Sequence, residues 1–248
     1  DWISIVHRPI VPIYHPHRPV PLAYVIADLA GEIHELAAVR RGRAQVIGDE
    51  PRGPDDRGRW YTRRVVHPTV LIEALEARGW LPAIYFIFSR AGCERAMQDV
   101  LTEGKSLLAP PQQREVDTAI GELIRESPTV AESTLNQSVF EALRMGIGLH
   151  HAGILPSLKR LIEVLFERGL CRVVFATETM ALGIHMPARS VVLQSLTKRT
   201  DRGFRSLTHN ELTQMAGRAG RRGIDPGGQG VMALDARDGP EQMRQVGG

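Results

Sequence analysis

Lysine is nearly missing from this chain: Lys105, Lys159 and Lys198 are the only three, against 28 arginines. Arginine is a fixed fork of donors suited to phosphates, but a genome-wide codon bias gives the same imbalance and is the reading placed first. The formal net charge is only +3, which permits a nucleic-acid partner without requiring one. Cysteine is equally scarce. Cys93 and Cys171 sit in apolar stretches with no C-x-x-C spacing, which excludes a disulfide framework and reads as buried thiols of a reduced, cytoplasmic protein. No apolar run approaches the roughly 18 residues of a membrane helix, so no membrane partner is expected. The chain opens at Asp1 with no basic segment leading into an apolar one, and it reads as a piece of a longer protein. With 43% hydrophobic and 24% charged residues over 248 positions, wholesale disorder is excluded and a sizeable core is affordable.

What is present divides by composition. Residues 1–19 are proline-rich and read as an extended linker. Within them His15-Pro16-His17 has no further ligand at metal-binding spacing and reads as a solvated turn. Residues 20–26 and 33–39 flank Gly31 as a strand pair. Residues 40–64 are dense in Arg, Asp, Gly and Pro and read as a mobile insertion. From Pro68 to about residue 238, short apolar runs alternate with amphipathic stretches. The runs lie at 83–88, 146–151, 172–176, 190–193 and 230–235, with helices expected from Pro68, after Ser89, over 111–126 and 134–145, from Pro156, and after Thr208. That alternation predicts an α/β fold, a mostly parallel sheet with helices on both faces. Ligands of such sheets sit beyond the carboxyl ends of the strands, which directs attention to Ser89 and Arg90, His150–Gly153, Thr177–Pro187 and the segment after Leu193.

The sharpest pattern is Gln214-Met215-Ala216-Gly217-Arg218-Ala219-Gly220-Arg221-Arg222-Gly223. Thr208 and Glu211 form a capping box ahead of it, so a helix runs into a glycine-punctuated turn that carries three arginines. Guanidinium forks on a defined turn suit phosphate oxygens and the charge that develops in phosphoryl transfer. Glycines let backbone approach a ligand closely. Alone, such a basic helix exit is equally a solvated feature.

It does not stand alone. The segment resembles motif VI of superfamily 2 helicases, and other motifs of their second RecA-like domain precede it in order. Phe86-Ile87-Phe88-Ser89-Arg90 with Cys93-Glu94 resembles motif IV, and Leu149-His150-His151-Ala152-Gly153-Ile154-Leu155-Pro156 resembles the histidine-glycine segment that opens motif IVa. Residues 175–188, FATETMALGIHMPA, resemble motif V. Arg202-Gly203-Phe204-Arg205 matches the usual approach to motif VI. The resemblance spans about residues 18–235. The A-T-E-T and R-A-G-R-R-G spellings are similar to the superkiller-type DExH-box RNA helicases, including the exosome-associated branch, and differ from the related DNA-repair helicases.

The resemblance implies a RecA-like domain that forms one lobe of an ATP-dependent RNA helicase. It implies that Arg218 and Arg221 act as arginine fingers on ATP held with Mg²⁺ mainly by a first RecA-like lobe, and that Gln214 and Gly183 lie at the nucleotide. His185 stands where the family usually has Asn or Asp, which leaves the nucleotide contact there altered. Ser89, Arg90, His151, Gly153, Thr177, Glu178 and Thr179 would line a track for single-stranded RNA or for the single-stranded tail of a duplex. Thr177 would act through its hydroxyl and amide.

A P-loop and a D-E-x-H are absent from the sequence; Gly104-Lys105-Ser106 imitates only a P-loop tail, with Asp99 where the first glycine belongs. The expectation is a lobe that does not hydrolyse ATP alone, with the first lobe upstream (Asp1-Trp2-Ile3 resembling its last residues) and residues 239–248 a tail cut short before a winged-helix domain. Two alternatives remain open: a non-catalytic RecA-like RNA-binding or scaffold module, and a lobe of a related DNA helicase.

Overall fold

The computed structural model describes residues 20–36, 50–54, 60–63, 66–181, 186–200 and 203–233. The linker at 1–19 with its His15-Pro16-His17, the motif V positions Gly183 and His185, and residues 234–248, which include the tail at 239–248, lie outside the described residues.

A seven-stranded sheet forms the centre. Its strands are β1 (Leu22–Ala27), β2 (Ile33–Glu35), β5 (Ala83–Phe86), β6 (Ile147–His150), β7 (Val173–Ala176), β8 (Ser190–Leu193) and β11 (Gly228–Ala233), in the order β2-β1-β11-β8-β5-β7-β6. Every neighbouring pair is parallel except β1–β2. β5, β6, β7 and β8 are buried at every position, which is why they read as unbroken apolar runs rather than alternating ones. Among the described residues six helices accompany the sheet: α1 (Pro68–Ala77), α2 (Arg90–Glu103), α3 (Pro110–Glu126), α4 (Thr134–Arg144), α5 (Pro156–Glu167) and α6 (His209–Ala216). Connections from β1 to β5 and from β5 to β6 run one way across the sheet, and those from β6 to β7 and β8 to β11 run the other. Right-handed crossovers therefore put α1, α2 and α4 on one face and α5 and α6 on the opposite one.

The helix limits follow local chemistry. Pro68, Pro110 and Pro156 occupy first turns, where the missing N–H costs nothing. Ser89 caps α2 by accepting from the Gly92 amide at 2.9 Å. The sheet and helices share one apolar core, in which the fully buried Tyr85 and Phe175 rings lie 5.2 Å apart. Each such side chain contributes roughly 1.5–3 kcal/mol on burial.

Two small sheets depart from the expected pattern. β3 (Glu50–Pro54) and β4 (Trp60–Arg63) pair antiparallel inside the segment 40–64 read as a mobile insertion. β9 (Thr197–Thr200) and β10 (Gly203–Ser206) form a hairpin between β8 and α6.

Candidate functional site at the two ends of the sheet

Six parallel strands give the domain a carboxyl end and an amino end, and α6 runs between them. Thr208, its cap, follows Leu207, whose amide donates to Leu196 just beyond the carboxyl end of β8. At the other terminus the chain meets Ala188, just ahead of the amino end of β8. There Ala188 N donates to Arg218 O at 2.9 Å, and Gly220 N donates to Ala188 O at 2.7 Å. The motif V segment also crosses the domain, leaving β7 at its carboxyl end and arriving at the amino end of β8. The expectation that the site lies beyond the carboxyl ends is therefore half of the picture. Ser89, Arg90, His151, Gly153 and Thr177–Thr179 gather at the carboxyl end, whereas Gln214, Arg218 and Arg221 gather toward the amino end.

At the carboxyl end, side chains that the sequence groups together differ in what they expose. Ser89, Arg90, Gly153 and Thr179 are exposed, and His151 and Thr177 are buried. Thr177 spends its polar groups within the fold: its amide donates to His150 O at 3.4 Å and its hydroxyl lies 3.0 Å from that of Thr179. His151 accepts from the Gly153 amide at Nδ1, 3.0 Å away, so the neutral ring carries its proton on Nε2. That nitrogen lies 3.2 Å from Glu94 Oε1 without a well-aligned hydrogen bond. Burial pushes the His151 pKa down, against the attraction of Glu94. His151 thus shapes the turn at 151–154, which exposes Ala152 and Gly153, instead of offering its ring. His150 behaves alike: burial lowers its pKa while Glu163, 3.1 Å from Nε2, opposes the shift.

A charge network missed in the sequence joins this end to α6. Glu178, in the 3₁₀ turn Glu178–Ala181, pairs with Lys198 at 3.3 Å, and Lys198 pairs with Glu211 at 2.7 Å. Arg205 grips Glu211 with both terminal nitrogens at 2.8 Å. Those two hydrogen bonds from Arg205, more than any other contact, hold the Glu211 carboxyl far below the usual carboxylate range. The hairpin bearing Lys198 and Arg205 also lifts Phe204 into solvent, 65% exposed.

At the amino end, Gln214, Arg218, Arg221 and Arg222 line one cavity of about 860 Å³, whose apolar wall includes Pro82, Phe166, Pro187 and Ile224. Arg221 is held by Asp225, with Nε to Oδ2 at 2.9 Å and Nη2 to Oδ1 at 2.8 Å. Arg189 Nη1 reaches the same carboxylate at 3.1 Å. Burial opposes ionisation of Asp225, but the hydrogen bonds from Arg221 and Arg189 outweigh it and bring the pKa down to about 2. Neither Asp225 nor Arg189 stood out in the sequence, although Arg221 and Asp225 are four residues apart, the spacing at which an ion pair forms within one turn. The glycines of this turn serve the fold more than a ligand. Gly220 has φ +89°, and a Cβ there would lie 2.6 Å from Val20 Cγ1. A Cβ on Gly228 would overlap the Ala219 carbonyl at 2.5 Å.

The P-loop imitation is a helix stop. Gly104 takes the left-handed position after α2 at φ 71°, Lys105 pairs with Glu73 and Glu76 at 3.2 Å each, and the Ser106 hydroxyl is bonded to Leu108 and Gln113.

The family model of the helicase conserved C-terminal domain matches residues 120–223, which takes in the histidine-glycine turn, Thr177 and the arginine turn. The chain is 46% identical over 168 residues, 68% of its length, to the DExH-box ATP-dependent RNA helicase DExH15, chloroplastic, of Arabidopsis thaliana. It is 35% identical over 265 residues, 96% of its length, to superkiller complex protein 2 of Homo sapiens. It is 31% identical over 264 residues, 99% of its length, to the exosome RNA helicase MTR4 of Homo sapiens. It spans 14%, 21% and 25% of those three proteins, respectively. In motif order, sheet topology and similarity along its length, the chain belongs to the helicase C-terminal, second RecA-like domains of the superkiller-type DExH-box superfamily 2 helicases.

Proposed function

We propose that this chain is the C-terminal lobe of an ATP-dependent RNA helicase, with phosphate-facing arginines at one end and an RNA track at the other. The observation that carries this is the convergence of Arg218, Arg221 and Gln214 on one cavity at the far end of α6 from the exposed loops at Ser89, Gly153 and Thr179. Guanidinium forks beside an open cavity fit the oxygens of a triphosphate. ATP with Mg²⁺, held mainly by a first RecA-like lobe, supplies the phosphoryl-transfer chemistry. Arg218 and Arg221 supply positive charge where negative charge develops, and Gln214 orients by hydrogen bonding. Gly183 and His185 would approach the same nucleotide, His185 with a larger ring than the usual Asn or Asp.

At the carboxyl end, Ser89, Arg90, Gly153 and Thr179 meet the phosphates and sugars of single-stranded RNA, or of the single-stranded tail of a duplex. Such contacts position a strand without reading its sequence. Thr177 and His151 act from beneath by fixing the turns that present those groups, and Glu178 ties them to the hairpin. Without a P-loop or a D-E-x-H of its own, this lobe does not hydrolyse ATP alone.

In the full-length gene product, which this reading requires to carry the first lobe, Arg218→Ala and Arg221→Ala each lower ATP turnover by roughly 10³-fold or more. RNA binding without nucleotide stays near normal in both. Thr177→Ala does the reverse, weakening RNA binding first. Filter binding at fixed salt and steady-state hydrolysis separate the two. Loss of RNA binding in the arginine variants with turnover retained would refute the division of roles.

A further inference from the structure

We infer that Asp225 is a positioning residue for Arg221: a buried carboxylate that fixes one edge of the guanidinium so that the other edge meets phosphate. This rests on the reading of Arg221 as a phosphate-facing arginine and adds the group that aims it.

The geometry is reciprocal. Arg221 N donates to Asp225 Oδ2 at 2.8 Å, and Asp225 N donates back to Arg221 O at 3.0 Å, closing residues 221–225 into one turn. Inside that turn the Arg221 Nε and Nη2 atoms take both carboxylate oxygens. The Asp225 side chain is only 2% exposed and that of Arg221 27%, so the pair is anchored from the protein side while its arginine reaches the cavity. Arg189, just ahead of β8, donates to Asp225 Oδ1 and so ties the turn to the central sheet.

A guanidinium carries five N–H donors in one plane. The carboxylate uses the Nε side of that fork, through Nε and one N–H of Nη2, and leaves the Nη1–Nη2 end, where one N–H from each nitrogen lies parallel and matches two phosphate oxygens. An arginine held this way has already lost the rotamer freedom that a free side chain gives up on meeting phosphate. A group poised for charge that develops in a reaction is most effective when its orientation is set beforehand. Asp225 touches neither substrate nor reacting atoms; it acts through Arg221.

The test is a double-mutant cycle in the full-length gene product, reading RNA-stimulated ATP hydrolysis. Asp225→Asn keeps the side-chain shape but offers one acceptor oxygen in place of two. It is expected to lower kcat by roughly 10- to 100-fold, the range for a misplaced group, with KM for ATP changed by less than about threefold. In an Arg221→Ala background the same substitution is expected to cost less than about twofold further. A merely structural Asp225 would produce the same loss in both backgrounds, and that result overturns the inference. Normal kcat in D225N beside a depressed kcat in R221A also overturns it. Normal kcat in R221A refutes instead the underlying reading of Arg221. Nucleotide-free RNA binding serves as the folding control. If D225N loses it, Asp225→Glu in the same cycle decides: it keeps the charge but moves the carboxylate by one methylene, and a kcat equal to the parent would reject the inference.

Discussion

His150 and His151 are neighbours in sequence at the carboxyl end of β6, yet both rings are buried and neutral by preference. Burial is the largest influence on each, and it drives the folded-state pKa below the unfolded value near 6.5. The sign follows from linkage. Above pH 6.5 both states are neutral and the full stability is present; as pH falls below 6.5 the unfolded chain takes up protons first, and stability is lost. The Tm of the chain should therefore drop between pH 7.5 and 5.5, and His150→Asn should reduce that drop. An equal drop in the variant would mean that other groups set the acid limb. Individual residues are also where the sequence was least legible. Ser89, His151 and Thr177 were recognisable as motif residues, but Ser89 turned out to cap α2, and the polar groups of Thr177 are spent inside the fold. Asp225 was invisible because a lone aspartate just ahead of Pro226-Gly227 reads as a turn residue; only the folded turn brings it onto Arg221.

Among the elements, those with an apolar period or a sharp stop could be read in advance. β5–β8 were apolar runs, α1, α3 and α5 begin at proline, and Gly79, Gly104 and Gly169 adopt positive φ just past α1, α2 and α5. The β9–β10 hairpin could not be found that way. Thr197-Lys198-Arg199-Thr200 and Gly203-Phe204-Arg205-Ser206 are short and mostly polar, and their pairing depends on contacts with α6 and the motif V turn. β3 contains two prolines and a glycine, residues that argue against a strand from sequence alone. The capping box of α6 was foreseen and is present: Thr208 Oγ1 accepts from the Glu211 amide at 3.3 Å, and Glu211 Oε2 accepts from the Thr208 amide at 2.9 Å. Thr208→Ala should therefore cost about 1 kcal/mol in urea unfolding of the chain, with the slope of the transition unchanged. A loss below about 0.3 kcal/mol would show that Arg205 and Lys198 hold Glu211 and the start of α6 without the cap.

Over the whole molecule, parallel topology is what separates the two ends at which the candidate residues gather. Motif order alone could not show that Thr177 and Arg218 lie at opposite ends of the sheet, because their separation follows from strand order and from the direction of α6. The helix α6 links those ends, so on the proposed reading the RNA contacts at one end and the phosphate contacts at the other belong to a single body, which is half of the proposed site. The central claim is that its arginines complete an ATP site supplied by another lobe. The direct measurement is RNA-stimulated ATP hydrolysis by the 248-residue chain, with and without a separately expressed first RecA-like lobe. The account predicts no turnover by either piece, turnover in the mixture, and its loss when the chain carries Arg218→Ala. Hydrolysis by the chain alone, or a silent mixture of two folded pieces, would contradict it.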